Sequence, residues 1–428
     1  MAASDASPYR APAGTHDVLP PDSERWIEVV RRFADRAGRF GYGLVISPIF
    51  EHAEVFERVS TDVVRKEMYE LEDRGGRRLA LRPEGTAPVV RAYVQHHPTP
   101  PWKTWYVAPN FRYERPQKGR YRQHWQLGAE VLGVDDPDVD VEIISLAHGF
   151  YQDLGLRKVR LLVNSMGAPE DRAEYVEVLR EYLLAHATGL GDEFLARAEE
   201  HPLRLLDAKQ EAWQDVIERA PQLTEHLGDA ARAHFERVQE GLEALAIPHE
   251  IAPRLVRGFD YYTSTTFEFT SDELDAAQDA VGGGGRYDKL AEEMGGDPTP
   301  GIGFGIGIER VLIVCEAEGV DLGAGGPALD GFVIDPGVGD AATLMVAALR
   351  EAGLRADRAY GGRSVKAQWK LADRSGAAYG LMLGPDELAR DVVAVKDLAG
   401  EMGAAKQVEV PREQVVGWLL QRREERGR

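Results

Sequence analysis

Five short stretches hold the residue types that bind phosphates, carboxylates and amines. The first is LVRGFDYYTSTTFEF, residues 255–269. Aromatic and β-branched residues crowd it, as in a strand. It also carries Arg257, Asp260, Tyr261, Tyr262 and Glu268. Read as a strand, Phe259, Tyr261, Thr265, Phe267 and Phe269 share one parity and face a core. Asp260, Tyr262, Ser264, Thr266 and Glu268 share the other and line a pocket. Gly258 breaks the pattern and leaves Arg257 at the strand's entry.

In GIGFGIGIERVLIV (301–314), Gly301, Gly303, Gly305 and Gly307 alternate with Ile302, Phe304 and Ile306. One face of such a strand is bare, so a flat ligand can lie against the backbone. Arg310 opens the following helix at the edge of that surface, where a guanidinium can stack on a purine or reach a phosphate. Close strand-to-helix packing explains the same glycines. NFRYERPQKGRYRQHWQLGAEVLG (110–133) reads as strand, basic loop, strand. Arg112 lies on one arm; Gln126 and Glu130 lie on the other with matching parity. A hairpin with an Arg opposite a carboxylate can hold a zwitterion, or a phosphate beside an amine. An ordinary exposed hairpin is the alternative. LRPEGTAPVVRAYV (81–94) sets Glu84 and Thr86 on a turn before a helix; they offer acceptors to an ammonium, and Thr86 also suits an N-cap. VGGGGRYDKL (281–290) has four glycines before Arg286, Tyr287 and Asp288, which lets backbone approach a ligand.

The elements that must position these groups span a chain of 428 residues, enough for two or three domains. Hydrophobic residues make up 43% and charged residues 29%, a globular balance. No apolar run is long enough to span a membrane, and the first residues lack the pattern of a secretory signal. The single cysteine, Cys315, rules out an internal disulfide and fits a reducing cytosol. The net charge of −20 argues against broad nucleic-acid binding. Two basic patches stand out from it, at 112–122 and 354–374; they suit a polyanion gripped at two places, or two solvated faces.

Apolar spacing predicts a helix over 23–40, with Trp26, Ile27, Val30, Phe33 and Ala37 on one face and Ser23 as N-cap. Strand-like runs follow through residue 133, then a helix at 138–153 and a strand in KVRLLVNS. Residues 170–250 read as a mostly helical insertion without a chemical motif. GAGGP (323–327) reads as a linker, and beyond it strands and helices alternate as in a small α/β domain with a mostly parallel sheet. No P-loop, H-E-x-x-H, C-x-x-C or G-x-S-x-G occurs, so a P-loop, a standard zinc site and a serine-hydrolase elbow are excluded. PGVGDAA places Gly337, Gly339 and Ala342 in dinucleotide-site spacing with Asp357 about 20 residues on. In so short a module, a tight strand-to-helix turn is the better reading.

Taken in order, these stretches resemble class II aminoacyl-tRNA synthetases, and within them the histidyl-tRNA synthetase family. GYGLVISPIFEHAEVF resembles the first class II motif, FRYERPQKGRYRQHWQLGAEVLG the second and GIGFGIGIERV the third. LVRGFDYYTSTTFEF and VGGGGRYD resemble the two histidine-specific motifs; GTHDVLP and YGGRSVKAQWKLADRSGA also match. The resemblance implies an α+β catalytic domain with an antiparallel sheet over 1–325, a helical insertion at about 170–253, and an α/β anticodon-binding domain over 328–428. It implies activation of histidine with ATP, with Mg²⁺ as the nucleotide's counter-ion, then transfer to the 3′ end of the histidine tRNA. It also implies a homodimer, through the first motif, and a cytoplasmic, membrane-free protein.

The implied roles run by position. Arg112 and Arg257 contact the α-phosphate and are the catalytic pair; Arg310 stacks on adenine and reaches the γ-phosphate; Glu114 also belongs to the ATP set. Glu84, Thr86 and Gln126 hold the amino acid's ammonium and carboxyl ends. Glu130 and Tyr262 bond the imidazole nitrogens, with Tyr261 and Tyr287 shaping the pocket. Arg115 and Gln117 meet the tRNA acceptor end. No resident metal site is implied. Phe259 and Ser264 depart from the family's usual leucine and glycine, read here as small packing changes. The competing reading is a non-catalytic, synthetase-like regulatory subunit of ATP phosphoribosyltransferase. It usually lacks the C-terminal domain and has degenerate site motifs, unlike this chain.

Overall fold

A computed structural model of the chain describes residues 9–57, 62–206, 208, 210–255, 261–274, 279–323, 329–402 and 406–426. Contacts divide the chain into two units, Met1–Ala324 and Gly325–Arg428. In chain order the strands of the first are β1 (Gly43–Leu44), β2 (Phe50–His52), β3 (Tyr69–Glu72), β4 (Arg78–Leu81), β5 (Trp102–Phe111), β6 (Gln123–Leu132), β7 (Val159–Ser165), β8 (Glu250–Ile251), β9 (Thr263–Ser271), β10 (Ala280–Arg286) and β11 (Gly301–Gly307). Eight form one sheet in the order β1-β5-β6-β11-β10-β9-β7-β8, and β2-β4-β3 form a small one. The inner pairings of the large sheet, from β5 to β7, are antiparallel. The short outer strands β1 and β8 pair in parallel with β5 and β7.

The two faces of this sheet differ because side chains alternate along each strand. On one face Trp105, Leu127, Ala129, Phe267, Phe304 and Ile306 are buried in the main core. Helix Asp22–Arg39 packs on them through Val29, Phe33 and Ala37, one apolar stripe at helical spacing. Phe33 meets Phe150 of helix Pro137–Leu154 edge-on, with ring centroids 5.1 Å apart. The first helix starts one residue before its expected position, after Pro21, without a side-chain cap from Ser23. Ile27, expected on its apolar face, is exposed. Residues 170–250 are mostly helical as expected, and Tyr175, Leu179, Phe194, Trp213 and Phe235 of that insertion join the same core.

The other face is where the glycines lie. Gly303 of β11 stands opposite Glu130 of β6, Gly305 opposite Gly128, and Gly307 opposite Gln126. The surface is not bare: a Cβ on Gly303 would overlap the Glu130 carboxyl, and one on Gly305 would overlap the Gln126 amide. The glycines therefore make room for the polar side chains of the neighbouring strand.

Strand parity in 255–269 needs a correction. β9 begins only at Thr263, and its register with β10 shifts between Gly285–Thr266 and Arg286–Thr263. That irregularity resets the alternation, so Tyr261 joins Tyr262 and Tyr287 in the cluster on the glycine side rather than the main core. Ser264 sits within the irregularity at φ 46°, the left-handed region that favours glycine. Its replacement of the family's usual glycine is thus a backbone matter rather than one of packing. Residues 256–260, including Arg257, Phe259 and Asp260, lie outside the described residues.

The second unit carries β12 (Leu329–Ile334), β13 (Ala356–Arg358), β14 (Ala377–Met382), β15 (Val392–Asp397) and β16 (Gln407–Pro411), in the order β13-β12-β14-β15-β16. The sheet is mixed rather than mostly parallel: β12 pairs in parallel with β13 and β14, but β14–β15 and β15–β16 are antiparallel. Crossover helices Asp340–Glu351 and Val365–Arg374 serve the parallel strands. The connections after β14 and β15 are too short for a crossover. The PGVGDAA turn is occupied by its own chain: the Asp335 carboxylate accepts from the Gly337 and Val338 amides, 2.8 Å each. Those amides are thereby taken up, which supports the tight-turn reading over a dinucleotide site.

Gly303→Ala is expected to lower unfolding stability by about 1–3 kcal/mol, the usual range for forced overpacking. Gly38→Ala, on an exposed helix position with open space around it, should leave stability unchanged or slightly raised. Urea denaturation of both variants checks the contrast.

Candidate active site

Glu130 is the centre of the glycine face. It is wholly buried. Its Oε1 accepts from the Thr86 hydroxyl at 2.7 Å and its Oε2 from the Tyr287 hydroxyl at 2.5 Å. Burial pushes its carboxyl up to about 8, against those hydrogen bonds, while the nearby Glu84 adds to the rise. Thr86 is not the helix cap. The Glu84 carboxylate fills that place, accepting from the amides of Thr86 (2.6 Å) and Ala87 (2.8 Å) at the start of helix Thr86–His96. The threonine hydroxyl points to the sheet and donates to Glu130. Burial also raises the Glu84 carboxyl, offset by those two amides and by Arg112. Tyr261 packs against Tyr262 and Tyr287, with centroids 5.0 and 6.0 Å away. Gln126, on the same strand as Glu130, accepts from Asn110 at 2.7 Å.

The cationic side lies along the Arg112 arm. Arg112 donates to the Pro83 carbonyl at 2.9 Å, which fixes it beside the Glu84 turn. Arg310 donates to the Gly119 carbonyl (3.0 Å) and the Ala280 carbonyl (2.7 Å), so it bridges the basic loop and the start of β10. His124 responds to both arginines: burial pushes its imidazole down to about 3, and Arg112 and Arg310 add to the shift. It is neutral at any working pH, a polar ring beside two cations. Glu309, next to Arg310, accepts from the Trp125 amide at 2.9 Å, and burial raises its carboxyl to about 7.

The basic loop is closed on itself. Gln117 and Arg120 form an isolated bridge, Glu114 pairs with Arg120, and Arg122 donates to the Glu114 carbonyl at 3.0 Å. Arg115 and Gln117 are exposed on it. Glu84, Thr86, Glu130, Tyr261, Tyr262 and Tyr287 come together in one cluster, with Arg112 coupled electrostatically to Glu84 and to both Tyr261 and Tyr262. Glu114 is held by the loop rather than in that cluster. Arg257 lies outside the described residues.

Two residues of this site were not singled out from the sequence. His124 shares parity with Gln126 and Glu130 in RQHWQLGAE, a signal that could have found it. Tyr106 faces Gly128 across β5–β6, and its ring fills the space a Cβ on Gly85 or Gly128 would need. Only strand pairing reveals it.

An antiparallel sheet with a buried carboxyl cluster, flanked by an Arg-bearing hairpin and a glycine strand leading into Arg310, is the arrangement that the resemblance to class II aminoacyl-tRNA synthetases implies. A family model described as Histidyl-tRNA synthetase matches residues 14–311, and one described as Anticodon binding domain matches 332–422. The chain belongs to the histidyl-tRNA synthetase family. It is 44% identical over 424 residues to the histidine–tRNA ligase of Geobacillus sp. strain WCH70, covering 97% of this chain and 99% of that one. It is 46% identical over 424 residues to the histidine–tRNA ligase of Nocardia farcinica, covering 96% and 98%. The apo crystal structure of the S. aureus histidyl-tRNA synthetase superposes with a TM-score of 0.80 at 33% identity, covering 96% of this chain and 99% of that one.

Glu130 keeps its proton in the folded chain up to about pH 8, against an ordinary value of 4.5. Folding therefore binds a proton between those values, and stability from this group is lost as pH rises through about 8. Glu309 contributes with the same sign. The unfolding free energy of the wild type should fall relative to that of Glu130→Gln between pH 5 and pH 8. Parallel urea titrations at each pH measure the difference; equal slopes would contradict the buried, protonated carboxyl.

Proposed function

We propose that this chain is a histidine–tRNA ligase. The α-carboxylate of L-histidine attacks the α-phosphorus of ATP, forming histidyl-adenylate and releasing pyrophosphate. The histidyl group then passes to a hydroxyl of the 3′-terminal adenosine of the histidine tRNA, releasing AMP. The observation that carries this reading is the buried Glu130–Thr86–Tyr287 cluster beside Glu84 and Arg112.

An imidazole needs both a donor and an acceptor. Glu130 and Tyr262 supply them in this reading, and Tyr261 and Tyr287 close the sides. A buried polar pocket of this kind rejects a side chain lacking the matching groups by roughly 10⁴–10⁵. Glu84, Thr86 and Gln126 receive the ammonium and carboxylate ends. Glu84 already lies near Arg112, so the zwitterion's two charges find opposite partners there. In the in-line transition state charge grows on the α-phosphate, where Arg112 and Arg257 stabilise it. Arg310 serves the adenine and the γ-phosphate. Glu114 takes part in the ATP set through the loop it closes. Mg²⁺ accompanies ATP on its phosphates.

Arg115 and Gln117, exposed on the basic loop, are proposed contacts for the acceptor end of the tRNA. Residues 1–325 are the catalytic domain in this reading, and 328–428 the anticodon-binding domain. Arg363, Lys366 and Lys370 are exposed there, as a tRNA contact requires. A cytoplasmic homodimer is part of the proposal. Leu44, Ile46, Ile49 and Phe50 of the first motif are all exposed in the single chain, an apolar strip that a second copy would cover. Among the described residues, no helix is long and apolar enough to cross a membrane. The regulatory-subunit alternative is disfavoured by the intact Glu84, Glu130, Arg112 and Arg310 and by the match to the anticodon-binding domain.

ATP–pyrophosphate exchange tests the activity: histidine alone among the amino acids should drive it, and exchange with none, or with another, rejects the assignment. Arg257→Ala should lower the exchange rate by roughly 10²–10³-fold, as loss of one preorganised charge donor does, with histidine binding little changed. Arg363→Ala and Lys366→Ala should slow tRNA charging and leave exchange intact; equal damage to both steps would remove these residues from the anticodon role.

A further inference from the structure

Among the described residues, Arg286 is the largest fully buried side chain, 1% exposed, and it is a cation. Its Nη2 and Nε donate to Asp140 at 2.5 and 3.1 Å. Its remaining N–H groups reach the Val134 and Asp136 carbonyls, 3.2 and 3.1 Å, and Asp288 Oδ1 at 3.4 Å. Asp140 is wholly buried at the start of helix Pro137–Leu154 and accepts a second bond, from His234 Nε2 at 2.7 Å. His234 belongs to helix Asp229–Ala244, within the insertion. At the other end, Asp288 Oδ2 accepts from the Thr263 hydroxyl at 2.9 Å.

The chain His234–Asp140–Arg286–Asp288–Thr263 thus runs from the insertion to the glycine-side tyrosines. Arg286 adjoins Tyr287, and Thr263 adjoins Tyr262. The insertion has a second hold on the same segment, since Arg172 of helix Pro169–Ala185 donates to the Tyr262 carbonyl at 3.4 Å. Burial opposes the Asp140 charge, but His234 and Arg286 outweigh it and hold the carboxyl below its usual range. A buried pair of this type needs every partner, because removing one leaves a charge without compensation.

We infer that His234 is a positioning residue for the amino-acid pocket: through Asp140 and Arg286 it fixes the backbone that carries Tyr287 and Tyr262, so the insertion is part of the device that selects the amino acid. This rests on the proposed histidine pocket. It assigns a role to a segment that contains none of the pocket's own side chains.

The test is ATP–pyrophosphate exchange on the full-length protein, with KM measured separately for histidine and ATP. His234→Ala should raise KM for histidine about tenfold, the equivalent of one charge-assisted hydrogen bond, with KM for ATP unchanged. His234→Gln, whose amide can still donate to Asp140, should restore the wild-type KM for histidine. Thr263→Val cuts the network at its far end, changes shape little, and should reproduce the histidine-selective rise if His234→Ala fails to fold. A parallel rise in both KM values, a loss of thermal stability with KM for histidine unchanged, or no rescue by glutamine would overturn the inference. Absence of histidine-driven exchange in the wild type would instead reject the proposed function itself.

Discussion

The constraint on which the site depends is the burial of a carboxyl group on a sheet. Glu130 lies on β6, an inner strand of the eight-stranded sheet, and has no exposed surface. A carboxyl there needs hydrogen-bond donors and space, because burying one without partners costs several kcal/mol or more. Space comes from Gly303 on the neighbouring strand. Donors come from the Thr86 hydroxyl, at the helix start that Glu84 caps, and from Tyr287 just past the glycine run. The cap, the glycine strand and the tyrosine are separate sequence features serving one carboxyl.

That convergence explains what could and could not be read along the chain. The strand at 301–307, the hairpin arms and the long helix at 137–154 were legible because each has a strong local period. The site's residue types were legible because Arg, Glu, Tyr and Gly gather in short runs. Parity failed at Tyr261, since a register irregularity between β9 and β10 depends on a partner strand and leaves no periodic trace. Tyr106 was invisible for a similar reason: its neighbours Gly85 and Gly128 come from two other segments. The mixed sheet of the second unit was misread because alternation of strands and helices does not specify strand direction where connections are short. The names of the ligands came from family resemblance, not from period or spacing.

The charge distribution follows the same division. The chain is strongly acidic, yet its basic residues near the site are mostly engaged within the protein: Arg112 with a carbonyl, Arg120 with Glu114, Arg310 with two carbonyls. For the phosphate contacts proposed above, guanidiniums already oriented by backbone oxygens need little reorganisation, which is the physical content of preorganisation. The histidine of the same strand, His124, stays neutral between them and adds polarity without adding charge.

Ser264 carries a different lesson. Its left-handed backbone is held from outside: the Met166 amide donates to its carbonyl at 2.6 Å, and its own amide donates to the Gly167 carbonyl at 3.1 Å. The conformation at that point is imposed by the neighbouring strand's end, so the residue's identity is buffered. A serine can thus hold a backbone that glycine alone adopts at no steric cost, because the strain is offset by bonds from a neighbouring segment. The Met166–Gly167 clasp, rather than the conformational freedom of residue 264, sets the path of the main chain into β9.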